Sequence, residues 1–225
     1  MKTTAIIVAA GTGSRFNSDT PKQFVKLAGR PLIEHTIERF DATPSVDEII
    51  LVLARDRAET FLRSESGFEK LRRVIIGGTT RAESVQNGLA AAGDAAIVAV
   101  HDGARPFVSV DEIERTISKA KETGAACLVA TVTDTIKTVS GGEIAGTLDR
   151  EKLRRALTPQ VFRTEILRRA FELAGLSEAV TDECYLVEKL GHPIAFVEGS
   201  QRNIKITHPE DLAVAEAILS LVGCL

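Results

Sequence analysis

The stretch Thr4–Arg15, TAIIVAAGTGSR, decides how the rest of the chain is read. Its first seven residues, ending at Ala10, are apolar at every position after the threonine. A strand with one wet face alternates polar and apolar side chains. A continuous apolar run reads instead as a strand buried on both faces, as in a parallel sheet. Gly11 stops the run, and the loop it opens with Gly13 lets backbone N–H groups approach a ligand closely, phosphates above all. Similar short runs recur at 48–54, 73–76, 96–101, 126–132, 194–197 and 203–207. Amphipathic helical patterns lie between them at 31–40, 81–92, 111–123, 165–174 and 209–221; the first carries Leu32, Ile33, Ile37 and Phe40 on one stripe. Three helix starts show capping-box pairs: Thr80 with Glu83, Ser109 with Glu112, and Thr207 with Glu210. The alternation predicts an α/β fold, a mostly parallel twisted sheet with helices on both faces.

Residues 133–150 break this rhythm. The segment TIKTVSGGEIAGTL (135–148) reads as two short strands around a glycine turn. It has too few apolar residues for its own core, and a lone hairpin is marginal. Two readings stand: a surface hairpin without a partner, or an arm that leans on another surface such as a second subunit. With no repeat, linker or low-complexity tract, residues 1–225 read as a single domain with 133–150 as a β-arm.

Composition narrows the class. The chain has 225 residues, a net charge of −3 and only 4% aromatics, with no Trp. Such a chain suits neither duplex binding nor base-stacking platforms, so no nucleic acid is expected. It has no apolar run of roughly 18 residues and no signal peptide, which predicts a soluble, cytoplasmic protein with no membrane partner. A small polyanion remains possible if cations gather in one cleft. Cys127, Cys184 and Cys224 fit no zinc or disulfide pattern, and Cys127 reads as strand core. The four histidines are not at metal-ligand spacing. His101 and Asp102 are adjacent on a strand, so they point to opposite faces and do not share a metal.

Several motifs sit where strands end. The first loop is not a Walker A motif, and Phe16 stands where GxGxxG needs its third glycine. It does carry Arg15 and then Pro21-Lys22-Gln23, which reads either as a triphosphate cradle or as a solvated basic loop. His101-Asp-Gly-Ala-Arg-Pro106 closes another strand, where ligands of open α/β sheets bind. A lone carboxylate there, Asp102, suits Mg²⁺, which takes one or two protein carboxylates and completes its shell with phosphate and water. The alternative is an Asx cap for Asp102 and a structural ion pair for Arg105. Gly77 to Ser84 opens a capped helix with small residues that would favour a pyrimidine, or is a simple capped turn. Further polar clusters are Asp134-Thr135, Arg150, Thr158-Pro-Gln160, Thr181-Asp-Glu183 and Asn203 to Thr207. Arg150 and Lys205 suit a second anionic group such as a substrate phosphate.

Together these motifs closely resemble the 2-C-methyl-D-erythritol 4-phosphate cytidylyltransferase family over nearly the whole chain. They are AAGTGSR (9–15), PKQF (21–24), GGTTRAESV (77–85), HDGARPF (101–107), DTIK (134–137), LTPQ (157–160), TDE (181–183) and NIKIT (203–207). The resemblance implies a nucleotidyltransferase, Rossmann-like domain whose β-arm exchanges between subunits of a homodimer. It implies transfer of CMP from CTP to methylerythritol phosphate in the non-mevalonate isoprenoid pathway, with Mg²⁺ on Asp102. It assigns catalytic roles to Arg15, Lys22, Arg150 and Lys205. Ala9, Ala10, Gly11, Gly13, Gly78, Arg81 and Ser84 resemble the nucleotide-binding set. Arg105, Thr135, Thr158 and Thr181 look like substrate contacts, some across the dimer. Phe16 replaces the methionine usual in the family, which reads as a packing change. The sister polyol-phosphate cytidylyltransferases, such as that for ribitol 5-phosphate, are the alternative. The chain ends at Leu225, which reads as the stand-alone form rather than a fusion.

Overall fold

The apolar runs at 4–10, 48–54, 96–101 and 126–132 become inner strands of one sheet, where both faces can be covered. The structure is a computed structural model; it describes residues 1–11, 16, 22–62, 67–174 and 180–222, and of residues 22, 60, 62, 174 and 222 the backbone. In chain order the elements are β1 (Thr3–Ala9), the short pair β2 (Lys26–Leu27) and β3 (Arg30–Pro31), α1 (Leu32–Asp41), β4 (Glu48–Leu53), α2 (Arg55–Leu62), β5 (Leu71–Ile76), α3 (Arg81–Ala91), β6 (Ile97–Asp102), α4 (Val110–Thr123), β7 (Ala125–Thr131), β8 (Lys137–Ser140), β9 (Glu143–Thr147), β10 (Arg154–Arg163), α5 (Thr164–Ala174), α6 (Glu183–Lys189), β11 (Ala195–Glu198) and α7 (Asp211–Val222).

Seven strands form the main sheet in the order β11-β7-β10-β6-β1-β4-β5. Every residue of β4 and β6 is buried. One face is covered by Ile33, Ile37 and Phe40 of α1 and by Ile113 and Ile117 of α4. The other is covered by Val85 and Leu89 of α3, Leu167 and Phe171 of α5, and Leu186 and Val187 of α6. The pairing is parallel except for β10, which runs antiparallel between β6 and β7. No apolar run announced β10: its first three residues are exposed and Pro159 interrupts its ladder. The expected strand at 203–207 does not form. Its hydrogen bonds are scattered, Ile206 N–H to the Ala104 carbonyl and the Asn203 carbonyl to Arg105, so no continuous ladder exists. The Thr207–Glu210 capping box is also absent. Helix α7 starts at Asp211, whose carboxylate accepts the N–H groups of Thr207 (2.7 Å) and His208 (2.8 Å). The boxes at Thr80 and Ser109 are both formed.

Strands β8 and β9 pair as a separate two-stranded sheet between residues 133 and 150. Its apolar side chains face water, Val139 at 74% and Ile144 at 68% exposure. Phe16 is a packing residue, buried with Leu27, Leu32, Ala104, Ile206 and Ala215. Among the described residues no helix is long and apolar enough to cross a membrane.

The connections place the site. From β1 the chain moves outward to β4 and β5, and α3 then returns it to β6 on the other side of β1. This reversal opens a crevice beyond the carboxyl ends of β1 and β6, where ligands of open α/β sheets bind.

Candidate active site

A cavity of about 720 Å³ fills that crevice. Its wall includes Ala9, Ala10 and Gly11 after β1, Gly77 to Arg81 with Ser84 after β5, Asp102 and Ala104 after β6, and Lys205 and Thr207. The strand ends approach closely because of glycine. A side chain on Gly103 would press on Ile33 Cδ1 (2.7 Å) and Ala9 Cβ (2.9 Å), and the Gly103 N–H donates to the Val8 carbonyl at 2.9 Å. Gly11 differs: an added Cβ would meet nothing within 4 Å, so protein packing does not demand glycine there. Gln23 is fixed to the end of β1, its side-chain amide donating to the carbonyls of Ala9 (2.6 Å) and Gly11 (3.2 Å). Sequence reading quoted Gln23 only as part of a motif; a buried amide between two carbonyls leaves no periodic signal.

The turn before α3 is built from its own side chains. Ser84 Oγ accepts the Gly78 N–H (3.1 Å) and donates to the Thr80 carbonyl (2.9 Å). Ser84 thus lines the cavity while its hydroxyl already shapes the turn.

Asp102 is the electrostatic centre. Its Oδ1 lies 3.0 Å from Arg81 Nε; its Oδ2 lies 2.9 Å from Lys205 Nζ and 3.4 Å from Arg105 Nε. Burial alone would raise this carboxyl, but Arg81, Lys205 and Arg105 hold it well below the usual carboxylate range. Burial likewise works against the Arg81 charge, and Glu183 and Asp102 more than reverse it. The Asx-cap alternative for Asp102 is not what forms: its carboxylate faces cations. The ion pair for Arg105 does form, and Arg105 lies behind the cavity wall.

A closed ring of hydrogen bonds anchors these groups from below. His101 Nε2 lies 3.0 Å from the Arg105 carbonyl and must donate to it, so Nδ1 accepts from the Thr158 hydroxyl at 3.0 Å. Thr158 Oγ1 also accepts the Asp102 N–H (3.2 Å), and its carbonyl accepts from Asn203 Nδ2 (2.9 Å). The Asn203 carbonyl accepts from Arg105 Nη1 (2.9 Å) and closes the ring. Burial pushes His101 down to about 4, so it is neutral at pH 7. Its ring packs against Phe40 at 4.8 Å, on the face away from the Asp102–Arg81 pair, as adjacent strand positions require.

The predicted residues therefore divide. Ala9, Ala10, Gly11, Gly78, Arg81, Ser84, Asp102 and Lys205 meet in one cavity, with Arg105 in contact behind it. Thr158 lies buried beneath Asp102 rather than on the wall. Thr181 is exposed just before α6, and Thr135 is exposed at the root of the arm. Arg150, half exposed at 52%, donates to the Thr133 carbonyl (2.9 Å) and does not reach the cavity within one chain. Gly13, Arg15 and the Lys22 side chain lie outside the described residues. Glu183 was quoted in a polar cluster without a role; its bond to Arg81, a hundred residues away, has no local signature.

The family model of 2-C-methyl-D-erythritol 4-phosphate cytidylyltransferase (IspD) matches residues 3–221. The chain belongs to this family. It is 41% identical to the 2-C-methyl-D-erythritol 4-phosphate cytidylyltransferase of Desulforamulus reducens, over 98% of this chain and 97% of that one. It is 44% identical to the enzyme of the same name from Bacillus licheniformis, over 95% and 94%. The crystal structure of the 4-diphosphocytidyl-2C-methyl-D-erythritol synthase of Anaerococcus prevotii superimposes with a TM-score of 0.86 at 30% identity, covering 97% of this chain and 96% of that one. The central sheet with its covering helices is thus that of a cytidylyltransferase fold.

Proposed function

We infer that the chain carries out the reaction for which its family is named: transfer of CMP from CTP to 2-C-methyl-D-erythritol 4-phosphate, releasing pyrophosphate, in isoprenoid synthesis. The observation that carries this reading is the convergence of Arg81, Arg105 and Lys205 on Asp102 at the carboxyl ends of the sheet, in a chain of this family. CTP fills the cavity, with its cytosine and ribose against the small residues of Gly77 to Ser84. Its triphosphate lies along the Gly11 loop, where Arg15 and Lys22 join it.

An acceptor phosphate oxygen attacks the α-phosphorus of CTP. The new P–O bond forms as the bond to the β-phosphate breaks, and pyrophosphate leaves with the electron pair. The attacking oxygen is already anionic at pH 7, so no general base is needed. This agrees with His101, which is neutral, buried and hydrogen-bonded at both nitrogens. The barrier is like-charge repulsion, and the chain's part is positioning and charge neutralisation. Lys205 and Arg150 orient the acceptor phosphate, with Thr135 and Thr181 as further contacts. Arg105 and Thr158 hold Asp102 in place.

For Mg²⁺ the chain offers one carboxylate, that of Asp102, at the cavity wall. Among the described residues there is no group of three or more His, Cys, Asp or Glu side chains that could cage a metal. One carboxylate fits an ion that takes most of its ligands from phosphates and water, and three neighbouring cations disfavour it without the triphosphate. When bound with CTP, the ion would supply Lewis-acid neutralisation of phosphate oxygens.

The arm gives a reason for a homodimer. Val139 and Ile144 are mostly exposed on a hairpin too small to stand alone. A second copy that covers them would also bring Thr135 and Arg150 of one chain towards the cavity of the other. The deciding experiment is pyrophosphate release with CTP and methylerythritol phosphate, with and without Mg²⁺. Turnover that needs all three is expected. Turnover with ribitol 5-phosphate but not with methylerythritol phosphate would overturn the acceptor assignment.

A further inference from the structure

Glu183 is the least accessible charged side chain near the cavity, at 0% exposure, and it does not line the cavity. Both its oxygens go to one partner. Arg81 Nη1 donates to Oε1 at 2.6 Å and Nη2 to Oε2 at 3.0 Å, while Arg81 Nε donates to Asp102 Oδ1 at 3.0 Å. A two-pronged guanidinium–carboxylate contact fixes the plane of the guanidinium as well as its position. The carboxylate is itself held. Gln160 of β10 accepts the Cys184 N–H at 2.9 Å and donates to Asp182 Oδ2 at 2.9 Å, which pins the start of α6 to the sheet. Burial leaves the Glu183 carboxyl raised above its ordinary value although Arg81 works against it; two guanidinium N–H groups donating to its two oxygens are the contact of a carboxylate.

Asp102 is shared with Lys205 and Arg105, so Glu183 supplies charge that Arg81 would otherwise lack. Charge balance alone does not require a fully buried, forked contact, which is costly to desolvate, so its geometry calls for a further explanation. Without Glu183 the guanidinium is free to turn and take both oxygens of Asp102, where Lys205 already sits at 2.9 Å and Arg105 at 3.4 Å. We propose that Glu183 is a positioning residue for cytidylyl transfer: by holding Arg81 in a fixed plane it keeps one Asp102 oxygen for Lys205 and Arg105 and keeps the nucleotide wall in its binding shape. The proposal rests on CTP occupying this cavity. It makes Glu183 act only through Arg81, from outside the site.

The test is a double-mutant cycle of Glu183→Gln and Arg81→Lys, read by steady-state pyrophosphate release and by melting. Glu183→Gln keeps size and one acceptor but loses the forked charge pair. It should raise KM for CTP or lower kcat/KM for CTP on the order of 10- to 100-fold, the scale of a lost charge-assisted contact. KM for the acceptor should move less. In the Arg81→Lys background, which has no fork to orient, the same change should cost less than about threefold. Equal cost in both backgrounds, or a lowered Tm with wild-type kinetics, overturns the proposal. If Glu183→Gln fails to fold, Glu183→Asp serves. Its one-methylene shortening keeps the charge and should raise the Kd for CTP in calorimetry; an unchanged Kd overturns the proposal. Wild-type protein inactive with CTP and methylerythritol phosphate refutes the assigned reaction instead, a result separate from any behaviour of the variants.

Discussion

Replacing Asp102 with Asn removes the one negative charge that three cations share, and its cost follows from the contacts. Arg81, Lys205 and Arg105 approach the carboxylate at 3.0, 2.9 and 3.4 Å. Charge centres roughly 4 Å apart attract by about 4 kcal/mol each at an effective dielectric of 20, about 12 kcal/mol for three pairs. Desolvating the carboxylate cancels several kcal/mol of this, and Asn retains part of the hydrogen bonding, so the expected net loss is that of a broken buried pair, about 3–5 kcal/mol. For a chain of 150–250 residues this lowers Tm by about 6–20 °C. The pH dependence has a definite sign. The folded carboxyl lies below its unfolded value of 3.8, so its contribution is present above that pH and is lost only as pH falls further. The gap in Tm between wild type and variant should therefore stay constant from about pH 7 to pH 5 and close only in stronger acid, near and below the unfolded carboxyl's value. Pyrophosphate should recover more of the Tm in the variant than in the wild type, because a polyanion replaces the missing charge. Differential scanning fluorimetry across pH, with and without pyrophosphate, measures all three. A loss below about 2 °C, or a gap that closes already near pH 6, would refute the shared-carboxylate arrangement.

Gly11→Ala should fold as the wild type does, since nothing lies within 4 Å of the added methyl, and should weaken CTP binding in calorimetry; unchanged affinity would remove the triphosphate from that loop. Val139→Asp with Ile144→Asp should convert a dimer to a monomer in sedimentation equilibrium and lower turnover; a stable dimer would show that the arm is not the contact. The kcat/KM profile should owe no inflection to His101, which burial holds at about 4; an inflection at about pH 6 should match the titration of the substrates' phosphate groups measured without the protein. The effect of His101 on stability should be fully present above pH 6.5 and be lost as pH falls from 6.5 towards 4, since the unfolded imidazole takes up the proton first.

What the sequence disclosed follows from what is local. Parallel strands buried on both faces, such as β1, β4 and β6, show as apolar runs, and two true capping boxes show as fixed spacings. Strand β10 stayed hidden because its first three residues are wet and Pro159 lies within it. Helix α2 stayed hidden because Arg55-Asp-Arg-Ala-Glu59 presents charge where an apolar stripe was sought. At the site, the glycines, Asp102 and Lys205 were legible as residue types at strand ends. The partners that aim them were not. Arg81 meets Glu183, and Asp102 meets Thr158, only after the sheet has brought distant segments together.

Bulk charge was the least informative quantity. A chain at −3 holds a cluster in which three cations face two carboxylates, one positive charge in excess. These cations are not free: Arg81, Arg105 and Lys205 already have carboxylate partners within the chain. Binding an anion here is an exchange of partners rather than the neutralisation of bare charge. A lone phosphate at Lys205 must displace Asp102 and meet the cost of moving the side chain, so it gains little unless a second group engages it too, the part proposed for Arg150 on the acceptor phosphate. A triphosphate placed as proposed would carry several charges to the cluster at once. On the proposed reading, this pairing should favour a polyphosphate over inorganic phosphate, because the first contact gains little without the others.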